Sequence, residues 1–267
     1  MSGTPPVVLT IAGFDPSSGA GVTADIKTIA AHDCFGISCI TALTVQSTMG
    51  VRRIQAVEPG IVRATLEELV SDLEIAGVHI GMLGTSAVVQ TVADFLAKAK
   101  LPHIVLDPVL KSTSGAELLD SAGTKLMIQR LLPLAEVITP NRTEAGILTG
   151  LPVSNRGELE AAAARLHDLG VVNVVITGGD TETAADFCSF TTSRGFETQV
   201  FESVHLHSNS THGTGCAFST ALTCNLALKI PMTTAVELSK AYVAEAIAQG
   251  QTIGHGVGPL HHLFRRG

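Results

Sequence analysis

The chain has 267 residues, of which 45% are hydrophobic and 15% charged, with a formal net charge of −7 and a mean hydropathy of +0.36. That composition excludes intrinsic disorder, which needs low hydrophobicity and high charge, and scattered Lys and Arg leave no basic stripe for a nucleic-acid partner. No apolar run approaches the ~18 to 20 residues of a membrane-spanning helix, so the apolar excess predicts a parallel sheet buried on both faces, whose strands read as continuous Val/Ile/Leu runs.

In chain order, residues 1–6 lack the basic and apolar regions of a signal peptide and predict a short flexible leader on a cytoplasmic protein. Short apolar runs then alternate with longer amphipathic ones, the order of βαβ units in an α/β fold with a mostly parallel sheet. The expected elements are strand 7–12, helix 22–31, strand 38–45, helix 61–73, strand 78–81, helix 87–98 and strand 103–107. Helix 122–132, strand 137–139, helix 158–169 and strand 171–177 follow. Between residues 187 and 204 short Phe/Thr/Val-rich runs predict an antiparallel hairpin or edge strands, and helices 216–228 and 233–248 close the chain. Without repeats, low-complexity tracts or charge blocks, one domain over residues 1–267 is expected. Five cysteines, at 34, 39, 188, 216 and 224, form no C-x-x-C pair; they predict free thiols, not a disulfide framework or a structural zinc site.

Open parallel sheets bind ligands beyond the carboxyl ends of their strands, so the segments that follow strands carry the functional candidates. The first is Gly13-Phe14-Asp15-Pro16-Ser17-Ser18-Gly19-Ala20-Gly21, a small-residue loop leading into a helix. It matches neither the dinucleotide fingerprint nor the Walker pattern, and its plain alternative is a flexible turn. In Asp107-Pro108-Val109 the proline biases Asp107 away from helical geometry. Its carboxylate then emerges at the ligand edge, able to hold Mg²⁺ or its water, unless it is an ordinary turn residue.

Asn141 with Glu144 three residues on reads as a capping box; the functional alternative has Asn141 cap while Glu144 turns to a metal-bound water near a phosphate. In Ser210-Thr211-His212-Gly213-Thr214-Gly215-Cys216 two glycines let backbone N–H groups converge at a helix start, which favours an anion such as a phosphoryl group. Cys216 there is expected to have a lowered pKa and partial thiolate character. It would accept a proton from a substrate hydroxyl or attack an electrophile; a small buried cysteine is the plain alternative. The histidines at 205 and 207, and the pair at 261 and 262, lack a third metal ligand. Met49, Met82 and the other methionines read as core filler.

Taken together, these segments resemble the ribokinase superfamily, and within it the hydroxymethylpyrimidine and phosphomethylpyrimidine kinases of thiamine biosynthesis. The resemblance rests on the loop from Thr10 to Gly21, on Ala42-Leu43-Thr44-Val45-Gln46-Ser47-Thr48, on Asp107-Pro108-Val109-Leu110, on Thr139-Pro140-Asn141-Arg142-Thr143-Glu144-Ala145, and on Thr211 to Cys216. It implies a ribokinase-like fold and transfer of the γ-phosphoryl of ATP to the hydroxymethyl group of 4-amino-5-hydroxymethyl-2-methylpyrimidine, then to the monophosphate.

By the same resemblance Gln46 reads the aminopyrimidine edge, with Ala20 and Met82 beside the ring and Gly13, Asp25 and Val109 in the substrate site. Asp107 and Glu144 organise Mg²⁺ and the phosphates, Asn141, Thr177, Gly179 and Lys111 lie toward ATP, and Gly213, Thr214, Gly215 and Cys216 form the anion hole with its catalytic thiol. A homodimer is implied. Two positions depart from the family pattern. Thr177 stands where relatives often carry lysine before Gly-Gly, which leaves Lys111 or Arg142 to compensate by position, and Phe14 replaces a serine. The rivals are a pyridoxal or pyridoxine kinase of the same fold, a non-catalytic pyrimidine-binding protein, and a cysteine hydrolase, for which Cys216 lacks a suitably separate histidine.

Overall fold

The computed structural model describes residues 3–112, 115–178, 184–202, 208 and 210–264. The first half runs β1 (Val7–Phe14), α1 (Gly21–Ala31), β2 (Phe35–Ser47), β3 (Gly50–Ala56), α2 (Pro59–Asp72), β4 (Ile75–Ile80), α3 (Ser86–Ala99), β5 (Ile104–Leu106) and α4 (Ser121–Arg130). The second half runs β6 (Val137–Ile138), α5 (Arg142–Thr149), α6 (Arg156–Asp168), β7 (Asn173–Ile176), β8 (Asp186–Thr192), β9 (Gly195–Phe201), α7 (Thr214–Ala227) and α8 (Met232–Ala248).

The strands form one nine-stranded sheet in the order β3-β2-β1-β4-β5-β6-β7-β8-β9. Pairing is parallel from β2 through β7, while β3, β8 and β9 join antiparallel at the two edges. The expected α/β architecture, with a mostly parallel sheet and an antiparallel hairpin completing one edge, is the observed one.

Successive strand residues point to opposite faces, and both faces are covered. Leu9, Ile11, Leu106, Ile138 and Val174 pack with residues of α2, α3, α4 and α6. Their alternates Val105, Val137 and Val175 pack against α7 and α8, and Val8 meets Ile29 of α1 and Cys224 of α7. This double burial produces the uninterrupted aliphatic runs of the sequence.

Two elements depart from the expected order. The first is β3, whose Arg52 and Arg53 are exposed on an edge strand; charge there discourages pairing with another chain and erases the apolar pattern. The second is α5, only eight residues long, which begins at the capping box. Met49 is 67% exposed at the β2–β3 turn, not core filler, whereas Met127 is fully buried. Residue 6 of the expected leader is tied down, since its carbonyl accepts from the Phe35 N–H at 2.8 Å. Among the described residues no helix is long and apolar enough to cross a membrane, and all five cysteines are free.

Candidate active site

Every parallel strand ends on the same side of the sheet, and the segments that follow them converge on a cavity of about 550 Å³. That size lies within the usual range for small-molecule sites. Its walls include Gly13, Ala20, Gln46, Met82, Val109, Asp107, Lys111, Asn141, Glu144 and Thr177, together with Gly213, Thr214, Gly215 and Cys216. Nearly all the residues expected at the site thus meet in one place.

The loop after β1 closes on a carboxylate. Asp15 Oδ1 accepts from the Ser17 N–H at 2.8 Å and its hydroxyl at 2.6 Å, and Oδ2 accepts from the N–H groups of Gly19 at 3.2 Å and Ala20 at 3.0 Å. Lys27 Nζ donates to the Ser18 carbonyl at 2.9 Å. The segment is therefore a pinned turn. His212 Nε2 lies 2.9 Å from Asp15 Oδ2 and joins this loop to the start of α7. Burial works to raise the Asp15 pKa, but hydrogen bonds from His212 and Ser17 outweigh it and hold the carboxyl below its ordinary value.

Gly213 is the N-cap of α7 and has φ +85°, a left-handed conformation that glycine adopts without a Cβ penalty. A Cβ at Gly213 would also collide with the Gly19 carbonyl. The sequence needs glycine there so that the β1 loop and the α7 start can touch. This contact brings Cys216 to the cavity, partly exposed yet with its thiol crowded by protein atoms. Burial pushes that thiol well above its ordinary pKa, and the charges of Asp107 and Asp25 push it further; the Gly21 N–H opposes them. The lowered pKa expected from the helix start is corrected: burial, joined by two carboxylates from other segments, raises it instead, and the Cys216 thiol donates to Asp107.

Asp107 follows β5 and is 5% exposed. Burial raises its pKa to about 6; the charge of His79 opposes this, Asp25 adds to it, and hydrogen bonds from Cys216 and Ser219 oppose it. The Asn141–Glu144 capping box is present: Asn141 Oδ1 accepts from the Glu144 N–H at 2.9 Å, and Glu144 Oε2 accepts from the Asn141 N–H at 3.0 Å. Glu144 Oε1 reaches the Leu110 N–H at 3.5 Å. The capping reading thus holds while the same carboxylate lines the cavity. Mg²⁺ is held through one or two carboxylates plus waters and substrate phosphates. Asp107 and Glu144 on one cavity fit that donor set, and the described residues contain no cage of three or more His, Cys, Asp or Glu.

Two expectations fail. Asp25 does not line the cavity; it is fully buried beneath it, accepting from the hydroxyls of Thr10 at 2.6 Å and Thr220 at 2.9 Å. Arg142 donates to the Ser154 carbonyl at 3.0 Å and does not line the cavity, which leaves Lys111 as the nearby cation. Gly179 and the histidines at 205 and 207 lie outside the described residues. His262 is structural, with Nδ1 3.1 Å from the Thr28 hydroxyl.

Sequence reasoning did not assign His212 a binding role, although it precedes the two glycines. Its Nε2 also lies 3.1 Å from the Gln46 amide nitrogen, and the Thr44 hydroxyl donates to Gln46 Oε1 at 3.1 Å. Asp186, outside the cavity lining, accepts from the Gly178 N–H at 2.9 Å and from Lys240 Nζ at 2.6 Å, next to the lining residue Thr177.

A doubly covered parallel sheet with carboxylates, a glycine-bounded helix start and a thiol at its strand ends defines the ribokinase-like class of small-molecule kinases. The phosphomethylpyrimidine kinase family model matches residues 15–261. A hydroxymethylpyrimidine/phosphomethylpyrimidine kinase of Haemophilus influenzae is 41% identical over 260 residues, covering 96% of each chain. The chain belongs to the phosphomethylpyrimidine kinase family. Among solved structures, the phosphomethylpyrimidine kinase of Clostridium difficile superposes with TM-score 0.80 at 34% identity, over 91% of this chain and 99% of that one. The Staphylococcus aureus pyridoxal kinase in complex with AMP-PCP and pyridoxal superposes with TM-score 0.86 at 31% identity, over 97% and 94%.

Proposed function

We propose that the chain transfers the γ-phosphoryl group of ATP to the hydroxymethyl group of 4-amino-5-hydroxymethyl-2-methylpyrimidine and then phosphorylates the monophosphate to the diphosphate. The observation that carries this reading is the single cavity that brings Gln46, which can donate and accept at once, together with the Gly213–Cys216 turn and Asp107. Membership of the phosphomethylpyrimidine kinase family supports the acceptor. The AMP-PCP complex of a close structural relative supports ATP as donor.

Phosphoryl transfer depends mainly on positioning and charge stabilisation. Gln46 reads the amino and ring-nitrogen edge of the pyrimidine while Ala20, Met82 and Val109 contact its ring. Gly13 allows close approach, and the Gly213–Gly215 backbone faces the transferring group. Asp107 and Glu144 would hold Mg²⁺ directly or through water, and the ion when bound neutralises charge on the phosphates. Asn141, Thr177, Gly179 and Lys111 bind the ATP side.

When the substrate hydroxyl attacks phosphorus, its proton moves to the Cys216 sulfur as the thiol proton passes to the Asp107 carboxylate. A monophosphate acceptor is already anionic and needs little of this help. The exposed apolar side chains of Leu43 and Val45 on the outer face of β2 support a homodimer, and five free thiols support a reducing, cytoplasmic setting.

Pyridoxal is the second acceptor to consider, because the structural likeness to a pyridoxal kinase is as close as that to a pyrimidine kinase. A coupled ATP assay with the hydroxymethylpyrimidine, its monophosphate and pyridoxal side by side decides between them. The pyrimidine pair should have the higher kcat/KM; faster pyridoxal turnover overturns the assignment, and nucleotide-independent pyrimidine binding without ADP formation leaves a binding protein.

A further inference from the structure

Behind the cavity, four elements contribute a closed row of polar side chains: Asp25 on α1, His79 on β4, Ser219 on α7 and Asp107 after β5. Asp25, His79 and Ser219 are fully buried, and so are Thr10 and Thr220, which flank Asp25. His79 Nδ1 lies 3.3 Å from Asp25 Oδ2 and 3.2 Å from the Thr10 hydroxyl oxygen. His79 Nε2 lies 2.9 Å from the Ser219 hydroxyl oxygen. That hydroxyl in turn lies 3.3 Å from Asp107 Oδ2, 3.0 Å from the Gly215 carbonyl and 3.1 Å from the Cys216 carbonyl.

A hydroxyl carries one proton, so the direction of each bond can be counted. The single proton of Thr10 is committed to Asp25 at 2.6 Å. Both neighbours of His79 Nδ1 are therefore acceptors, and Nδ1 must carry a proton. On the other side, Ser219 faces a carboxylate and two carbonyls, none of which can donate. If Ser219 gave its proton to His79 Nε2, its lone pairs would face the Asp107 carboxylate and two helix carbonyls with no proton between them, a costly arrangement for a fully buried hydroxyl. If Nε2 carries the proton instead, Ser219 accepts from it and keeps its own proton for Asp107 and the helix carbonyls.

We propose that His79 is a buried, doubly protonated positioning residue: clamped by Asp25, it donates to Ser219, whose hydroxyl donates to Asp107 and holds that carboxylate against the Cys216 thiol. The titratable groups that face the ring are Asp25 from α1 and Asp107 beyond Ser219; β1 and α7 present the hydroxyls Thr10 and Ser219. Burial opposes charge on the ring, but Asp25, by its charge and its hydrogen bond, outweighs this and leaves the pKa raised. The catalytic consequence rests on the phosphoryl-transfer reading; the charge and bonding of the ring do not.

The test has two arms. In full-length protein labelled with ¹⁵N-histidine, the His79 signal, assigned by its disappearance in His79→Gln, should keep the pattern of an imidazolium at about pH 8, where an ordinary histidine with a pKa of about 6.5 is neutral. A neutral tautomer at that pH overturns the proposal, and this arm uses the wild-type chain even if a variant fails to fold. In the second arm, Ser219→Ala and His79→Gln, shown folded by circular dichroism, should lower kcat for the alcohol acceptor by about 10–100-fold with KM for pyrimidine and ATP nearly unchanged. Unchanged kcat in both folded variants, or an equal rise in KM, overturns it. Absence of ADP formation by the wild-type chain would defeat the kinase reading instead, and the ¹⁵N pattern would still decide the state of the ring.

Discussion

Two aspartate–histidine pairs flank the start of α7, and their surroundings give them different work. Asp15 and His212, 2.9 Å apart, stand on the cavity wall with 4% and 14% of their side chains exposed. Asp25 and His79, 3.3 Å apart, have no exposure. The wall pair is joined to Gln46 and to the backbone of the β1 loop, so it shapes the surface a substrate meets. The buried pair lies outside the cavity lining and is linked by hydrogen bonds to Asp107 through Ser219. A shared residue pairing therefore does not define a role; what lies at the open end of the hydrogen-bond chain does.

Asp107 is where the two sides meet, and removing its charge should have a large effect. Asp107→Asn should lower kcat by about 10²–10³-fold, the scale of losing a preorganised electrostatic group. The same substitution should stabilise the protein. Because the folded-state pKa of about 6 exceeds the ordinary 3.8, the native state binds this proton more tightly than the unfolded chain. Its contribution to stability is greatest at low pH and is lost as pH rises through about 6. Thermal unfolding above that range should show Asp107→Asn more stable by about 1–3 kcal/mol.

Joining the two loops depends on the left-handed Gly213. Gly213→Ala should cost about 2–3 kcal/mol of stability and reduce activity, measured by denaturant unfolding and by steady-state assay. On the wall side alone, Gln46→Leu should raise KM for the pyrimidine about tenfold, a loss of ~1.4 kcal/mol, with KM for ATP little changed. The mildest effect is that of pH on the wild type. Asp107 must be ionised to accept a proton or hold a cation, so kcat/KM, which reports the free enzyme, should fall as pH drops below about 6.

Much of this was legible in the sequence, for identifiable reasons. Strands buried on both faces write themselves as aliphatic runs, and the loops that follow them carried Gln46, Asp107, Asn141, Glu144 and the Gly213–Cys216 turn. What escaped notice is either short or remote. β3 hides behind Arg52 and Arg53 at a sheet edge, and α5 is too short to show a period. Asp25 sits one helical turn past the glycine loop and resembles a pocket residue, but the register of α1 turns it inward to Thr10 and Thr220.

The helix-start rule for Cys216 failed because it counts only the local dipole and neither the burial of the thiol nor charges from remote segments. Asp107 and Asp25 arrive from segments 109 and 191 residues away in the chain. His79 looks like an isolated polar residue in an apolar strand, and Ser219 like one of several small polar residues of a helix. Only the contact of β4 with α7 makes them a pair.

The account's central claim is that Cys216 and Asp107 serve proton removal from an alcohol on a pyrimidine kinase scaffold, and Cys216→Ala assayed on both acceptors tests it most directly. The variant should lose kcat/KM on the hydroxymethylpyrimidine by about 10²–10⁴-fold, the range of general acid–base help, and lose far less on the monophosphate. Equal losses on the two acceptors would contradict it.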